Sequence, residues 1–146
     1  MEVRRWLPLN EPRVQVNSDG AVGSGGLGRG AGFAVRGSDG SLLLAGVKHF
    51  NGLFQVDITE VLGILSAVQT VINQDFFRVK FESDCVKVIN LINSNEVVLL
   101  ELGCIIAEIK RCSAGRYFRF TFYPRSCNVV AHELTHFALS TSSEEI

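Results

Sequence analysis

The chain has 146 residues, 47% hydrophobic and 20% charged, which fits one globular domain and excludes a disordered chain or a coiled coil. Its 14 Lys+Arg against 15 Asp+Glu leave a net charge of −1. That denies it the broad basic surface of a high-affinity nucleic-acid binder, though not a small local basic face. No run of about 18 apolar residues is present to cross a membrane, and the apolar stretch near Met1 is too short for a secretory signal. The cysteines Cys85, Cys104, Cys112 and Cys127 form no C-x-x-C pair. Reduced thiols in a soluble, intracellular, monomeric protein with no membrane partner are therefore expected.

Arg13–Asp19 alternates and predicts a first strand. Nine of the 14 glycines then fall between residues 20 and 40, which predicts turns and closely packed hairpin backbone. Gly32–Arg36 and Ser41–Phe50 read as two further strands, joined at Ser38-Asp39-Gly40, where Asp-Gly favours a hairpin. The period then changes. Ile58, Val61, Leu62, Leu65, Val68 and Ile72 recur at helical spacing and predict a helix over Asp57–Gln74, capped by Asp57 or Thr59 and ended at Asn73. Arg78–Asp84 reads as a strand with Val79 and Phe81 on one face and Arg78, Lys80 and Glu82 on the other. A short helix carrying Val86, Ile89 and Leu91 follows, and then a helix over Leu99–Ser113. Tyr117–Tyr123 is a strand whose Phe118, Phe120 and Phe122 share a face expected to be core, and Pro124 ends it. Asn128 caps a last helix through about Leu139. The order βββαβααβα implies a mixed α/β sheet, with parallel pairing through right-handed crossovers and an antiparallel meander on the same sheet. Residues 1–12 read as an extension, 13–139 as the domain and 140–146 as a tail.

Asp19 on the first strand, Glu60 in the first long helix and Asp84 at the end of the fourth strand would share a cleft if strands one and four are neighbours. Clustered carboxylates repel unless a cation joins them, and a hard ion such as magnesium wants oxygen ligands. Taken singly, each acid has an ordinary structural reading: Asp19 serves its turn, Glu60 is solvated and Asp84 caps a helix. Motif order speaks for the joint reading. Asn17-Ser18-Asp19-Gly20-Ala21 with Gly32-Phe33-Ala34-Val35-Arg36, then Thr59-Glu60-x5-Ser66-Ala67, then Phe81-Glu82-Ser83-Asp84, then Arg125-x-x-Asn128-x-x-Ala131-His132-x-Leu134-x-x-x-Ala138 resemble the ribonuclease H-like superfamily. The likeness is to the plant, reverse-transcriptase-associated domains derived from retroelements.

The resemblance implies an α/β ribonuclease H-like fold, a five-stranded mixed sheet of order 3-2-1-4-5 flanked by helices. It implies a nuclease that cuts the RNA strand of RNA–DNA hybrids with two magnesium or manganese ions. Asp19, Glu60, Asp84 and His132 would be its catalytic and metal-binding residues, with Asp19 bridging both ions. Asn17, Gly20, Ala21, Arg125 and Asn128 would meet nucleic acid, partly through 2′-hydroxyl contacts, and a tethered reverse transcriptase is an expected partner. His132 stands where active relatives usually carry a fourth aspartate, and a neutral imidazole serves magnesium less well than manganese or zinc. The alternative reading is therefore a catalytically weak or silent nucleic-acid-binding module. Lys110, Arg111, Arg116 and Arg119 form the one basic cluster, so binding is expected to be weak and salt-sensitive.

Two other motifs compete. His132-Glu133-Leu134-Thr135-His136 satisfies H-E-x-x-H, a zinc-hydrolase signature. Catalytic zinc needs a third protein ligand, yet Leu139 and Ser142 stand at the extension's Gly and His positions and ten residues follow His136. Gly23-Ser-Gly25-Gly-Leu-Gly28 satisfies G-x-G-x-x-G, but it leads into a strand where a dinucleotide fingerprint must open a helix.

Overall fold

The computed structural model describes residues 13–22, 29–50, 56–96 and 100–124. The elements in chain order are β1 (Val14–Val22), β2 (Arg29–Arg36), β3 (Leu42–Phe50), α1 (Val56–Asn73), β4 (Arg78–Ser83), α2 (Val86–Asn93), α3 (Leu100–Ser113) and β5 (Tyr117–Phe122). They build a five-stranded mixed sheet of order β3-β2-β1-β4-β5, as the resemblance implied. β1, β2 and β3 form the antiparallel meander, and β1–β4 and β4–β5 are parallel. The predicted last helix lies outside the described residues.

Strand period sorts the two faces of the sheet. Val14 and Val16 of β1, Phe33 and Val35 of β2, Val79 and Phe81 of β4 and Phe120 of β5 all join one hydrophobic core with residues of α1, α2 and α3. Phe81 is its aromatic centre, stacked on Phe120 at 4.9 Å and meeting Phe118 edge-on at 5.2 Å. The aromatic stripe of β5 is core only in part, because Phe122 at the strand end is 49% exposed. α1 is long and apolar enough to cross a membrane, yet ten of its 18 residues are buried and it packs against β1, β2 and α3.

Small residues set the depth of α1. A Cβ on Gly63 would meet the Ala31 Cβ at 3.0 Å, so the helix rests nearly on the backbone of β2. Gly46 of β3 does the same for a ring, since a Cβ there would lie 2.5 Å from Phe33 Cζ. The predicted Asp-Gly hairpin forms with Gly40 at φ +85°, and Asp39 Oδ1 accepts from both the amide and the hydroxyl of Ser41. Those two bonds hold the exposed Asp39 carboxyl below its ordinary range.

Two strand ends and one cap differ from the sequence expectation, the first being β1, which runs to Val22 rather than Asp19. β2 begins at Arg29 rather than Gly32, because Gly30 pairs with Ala21 and Gly32 with Asp19. α1 ends at Asn73 as expected, and Asp75 at φ 58°, with the Phe76 amide bonding back to Val71 O, closes the turn beyond it. The N-cap of α2 is Cys85, without a side-chain bond, so Asp84 is not its cap. Glu60, whose ordinary structural reading is a solvated acid, is 6% exposed, and Glu82 on the polar face of β4 is 4% exposed.

Candidate metal centre

Parallel pairing of β1 and β4 places Ser18 opposite Ser83, so Asp19 and Asp84 each stand one residue beyond a matched pair. The third acid arrives from α1. A Cβ on Gly20 would lie 3.0 Å from the Glu60 amide nitrogen and 3.0 Å from the Thr59 carbonyl carbon. Lacking one, the end of β1 admits the first turn of α1 and Glu60 with it. Carboxylate oxygens of Asp19, Glu60 and Asp84 consequently lie within 4.8 Å of one another. Asp19 is 3% exposed and Glu60 6%, while Asp84 is half-buried and opens the cluster to solvent.

The surroundings brace this cluster from two sides. Lys87 Nζ of α2 donates to Asp57 Oδ2 at 2.5 Å, tying the first turn of α2 to that of α1. The Ser83 hydroxyl accepts from the Cys85 amide at 3.1 Å, and Ser83 O accepts from the Tyr123 amide at 2.9 Å. The Cys85 thiol is pushed up, mainly by burial, opposed by a bond from the Val88 amide and reinforced by Glu60, Asp57 and Asp84. It therefore stays protonated at neutral pH and is no nucleophile. One row behind the acids, Asn17 Nδ2 donates to Glu82 Oε1 at 3.1 Å, and Lys80 Nζ lies 3.5 Å from Glu82 Oε2.

The donor set fits a hard cation. Three carboxylates, two of them buried, would repel strongly as bare anions. All-oxygen ligation suits magnesium or manganese rather than a soft metal. Octahedral magnesium separates its ligand oxygens by up to about 4.2 Å, so a 4.8 Å span asks for little movement.

Of the residues expected at the site, Asp19, Glu60 and Asp84 are brought together. Asn17 is buried with its amide committed to Glu82, and Gly20 sits under the first turn of α1. Ala21 pairs with Gly30 in the β1–β2 ladder. His132, Arg125 and Asn128 lie outside the described residues, as does the H-E-x-x-H segment. The G-x-G-x-x-G segment links the ends of antiparallel β1 and β2, where Val22 pairs with Arg29, so it opens no helix. Sequence reasoning missed Glu82 and Lys87 as partners of the site. Glu82 had a signal: it stands two residues before Asp84, as Asn17 stands two before Asp19. A polar groove of about 220 Å³ lined by Phe77, Ala114, Gly115, Arg116 and Tyr117 lies at the other end of β4 and β5.

Solved structures share this architecture. The N-terminal ribonuclease H domain of a Mycobacterium tuberculosis protein superposes with a TM-score of 0.80 at 16% identity, over 90% of this chain and 96% of that one. Ribonuclease H1 of Halobacterium salinarum gives 0.77 at 20% identity, over 88% and 98%. LC11 ribonuclease H1, isolated from compost by metagenomics and solved with an RNA/DNA hybrid, gives 0.79 at 17% identity, also over 88% and 98%. No curated protein has a significantly similar sequence. The reverse transcriptase-like family model matches residues 17–138, a span that takes in the three clustered acids. With the fold and the carboxylate cluster in agreement, the chain belongs to the reverse transcriptase-like family and has the ribonuclease H-like fold.

Proposed function

We propose that the protein is a divalent-cation-dependent nuclease that hydrolyses the RNA strand of RNA–DNA hybrids. The observation that carries this reading is the convergence of Asp19, Glu60 and Asp84 from three elements onto a span of 4.8 Å. A two-ion site of this kind supplies an activated water on one side of a phosphodiester and charge neutralisation of the leaving oxygen on the other. Asp19, the most buried of the acids and the one on the central strand, would be the central ligand and hold both ions. Glu60 and Asp84 flank it from α1 and from the end of β4, and Asp84 stands at the solvent side where substrate arrives. His132 takes the place of a fourth carboxylate. LC11 ribonuclease H1, whose structure contains an RNA/DNA hybrid, has the same architecture and supports this choice of substrate class.

A second reading is favoured by His132 alone: a neutral imidazole offsets no cation charge, so the domain would bind hybrid without cutting it. Incubation with an end-labelled RNA–DNA hybrid, in magnesium and separately in manganese, tests the two. Cleavage that Asp19→Asn abolishes supports the nuclease. Silence in both ions, persisting in a His132→Asp variant, sinks it in favour of the binding module.

A further inference from the structure

Asn17 and Glu82 face each other across the β1–β4 ladder, both buried at 9% and 4% exposure. The Asn17 amide holds Oε1 of Glu82 at 3.1 Å and the Lys80 ammonium lies 3.5 Å from Oε2, so the two oxygens have separate partners. Stability alone does not account for this arrangement. A buried carboxylate beside three others is an electrostatically unfavourable choice, and a well-packed apolar pair does as well or better at such a position. What a directional pair adds is register. Sliding β4 along β1 by two residues would keep every side chain on its own face, so the apolar pattern does not forbid it. It would carry Asp84 about 6.6 Å from its level beside Asp19. The Asn17–Glu82 bond exists only in the observed register, and each member lies two residues before one of the site acids.

We propose that Asn17 and Glu82 are positioning residues, a register lock that holds Asp19 and Asp84 level so that they share a divalent cation. The proposal rests on the reading of Asp19, Glu60 and Asp84 as a cation site, but its register arm can be tested separately. Four proteins are compared: the wild type, Asn17→Leu, Glu82→Gln, and the double variant Asn17→Leu with Glu82→Met. Each is measured by magnesium calorimetry, thermal unfolding without metal, and cross-strand backbone NOEs between β1 and β4. Asn17→Leu strands a buried carboxylate and should lose stability, whereas the double variant should recover it, since both partners have become apolar. The lock requires that magnesium affinity nonetheless stays down in the double variant, by about tenfold or more. Its 16–18 and 81–83 amides should show a second set of cross-strand contacts. Glu82→Gln removes the same charge but keeps an acceptor for Asn17, so it should bind magnesium close to the wild-type value. Wild-type affinity and a single register in the double variant would overturn the proposal. So would a Glu82→Gln loss as large as that of the double variant, because charge alone would then explain the effect. A wild type whose magnesium signal is absent, or is unchanged by Asp19→Asn, would instead refute the cation site.

Discussion

Asp19→Asn separates a cation site from a merely polar cluster, because the two predict opposite signs for its effect on stability. Oxygens of Asp19, Glu60 and Asp84 lie within 4.8 Å of one another. At that distance each charged pair costs about 3.5 kcal/mol at an effective dielectric of about 20 and about 0.9 kcal/mol in bulk water. Asp19 takes part in two such pairs, so removing its charge relieves about 2 kcal/mol even at the aqueous limit. Lost contacts of the carboxylate offset part of that relief. The expected net gain in metal-free stability is about 1–2 kcal/mol, or roughly 3–6 °C in midpoint for a chain of this size. Magnesium should act the other way. At ten times its dissociation constant it stabilises the wild type by about 1.4 kcal/mol, and the variant, lacking the central ligand, should show no such shift. Thermal unfolding of both proteins, with chelator and with magnesium, reads both signs in one experiment. An Asp19→Asn protein that is less stable in chelator, or that magnesium still stabilises, refutes the reasoning.

Gly20→Ala places a methyl 3.0 Å from backbone atoms of Thr59 and Glu60, which cannot swing aside; it should push α1 off β1 and weaken magnesium binding in calorimetry more than Ala21→Gly does. Gly46→Ala would set a Cβ 2.5 Å from the buried Phe33 ring, and should cost about 1–3 kcal/mol in denaturant unfolding without altering magnesium affinity. Phe81→Ala removes the ring between Phe118 and Phe120, and a loss of about 3–5 kcal/mol is expected in the same assay. A thiol-reactive disulfide reagent should label exposed Cys104 well before half-buried Cys85 at neutral pH, read by peptide mass mapping; equal rates would contradict the burial that pushes the Cys85 thiol up.

The parts of this fold that sequence made legible are those where one physical signal dominates. Period-2 alternation marked β1, β3, β4 and β5 to within about a residue at most ends, and the 3.6-residue period marked α1 and α3. β2 was shortened because Arg29-Gly30-Ala31 shows no apolar alternation, although its backbone pairs with β1 and β3. The end of α1 at Asn73 was legible, while the left-handed Asp75 that closes the turn beyond it is an exception to the glycine and asparagine rule. At the site, motif order rather than spacing singled out Asp19, Glu60 and Asp84, since residues 41 and 24 apart in sequence have no local relation. Glu82 defeated the reading for a different reason. Alternation placed it on a face with Arg78 and Lys80 but says nothing of burial, and only tertiary pairing with Asn17 reveals a buried carboxylate.

Charge now bears on function through position rather than total. Lys110 and Arg111 lie in the last turn of α3, Arg116 in the turn that follows it and Arg119 in the first half of β5, which runs parallel to β4. Arg119 pairs with Lys80, four residues or about 13 Å along β4 from Asp84, and Arg116 precedes the Arg78–Tyr117 pair at the opposite end of the strand. Both are more than a Debye length of about 8 Å from Asp84 at physiological salt, so they exert little pull at the acids. Members of this basic cluster also have structural partners: Lys110 holds Ser94 O, Arg111 grips Glu108 and Arg116 Nε bonds Cys112 O. Lys87, near the acids, is engaged by Asp57. Attraction of a phosphate backbone to the site therefore turns on the ions. Three carboxylates carry −3; one divalent ion leaves the cluster at −1, still repelling a polyanion, and two bring it to +1. In the proposed two-ion nuclease, a second ion would convert the cleft from a barrier into an attractor, so that substrate affinity and catalytic assembly would depend on the same event.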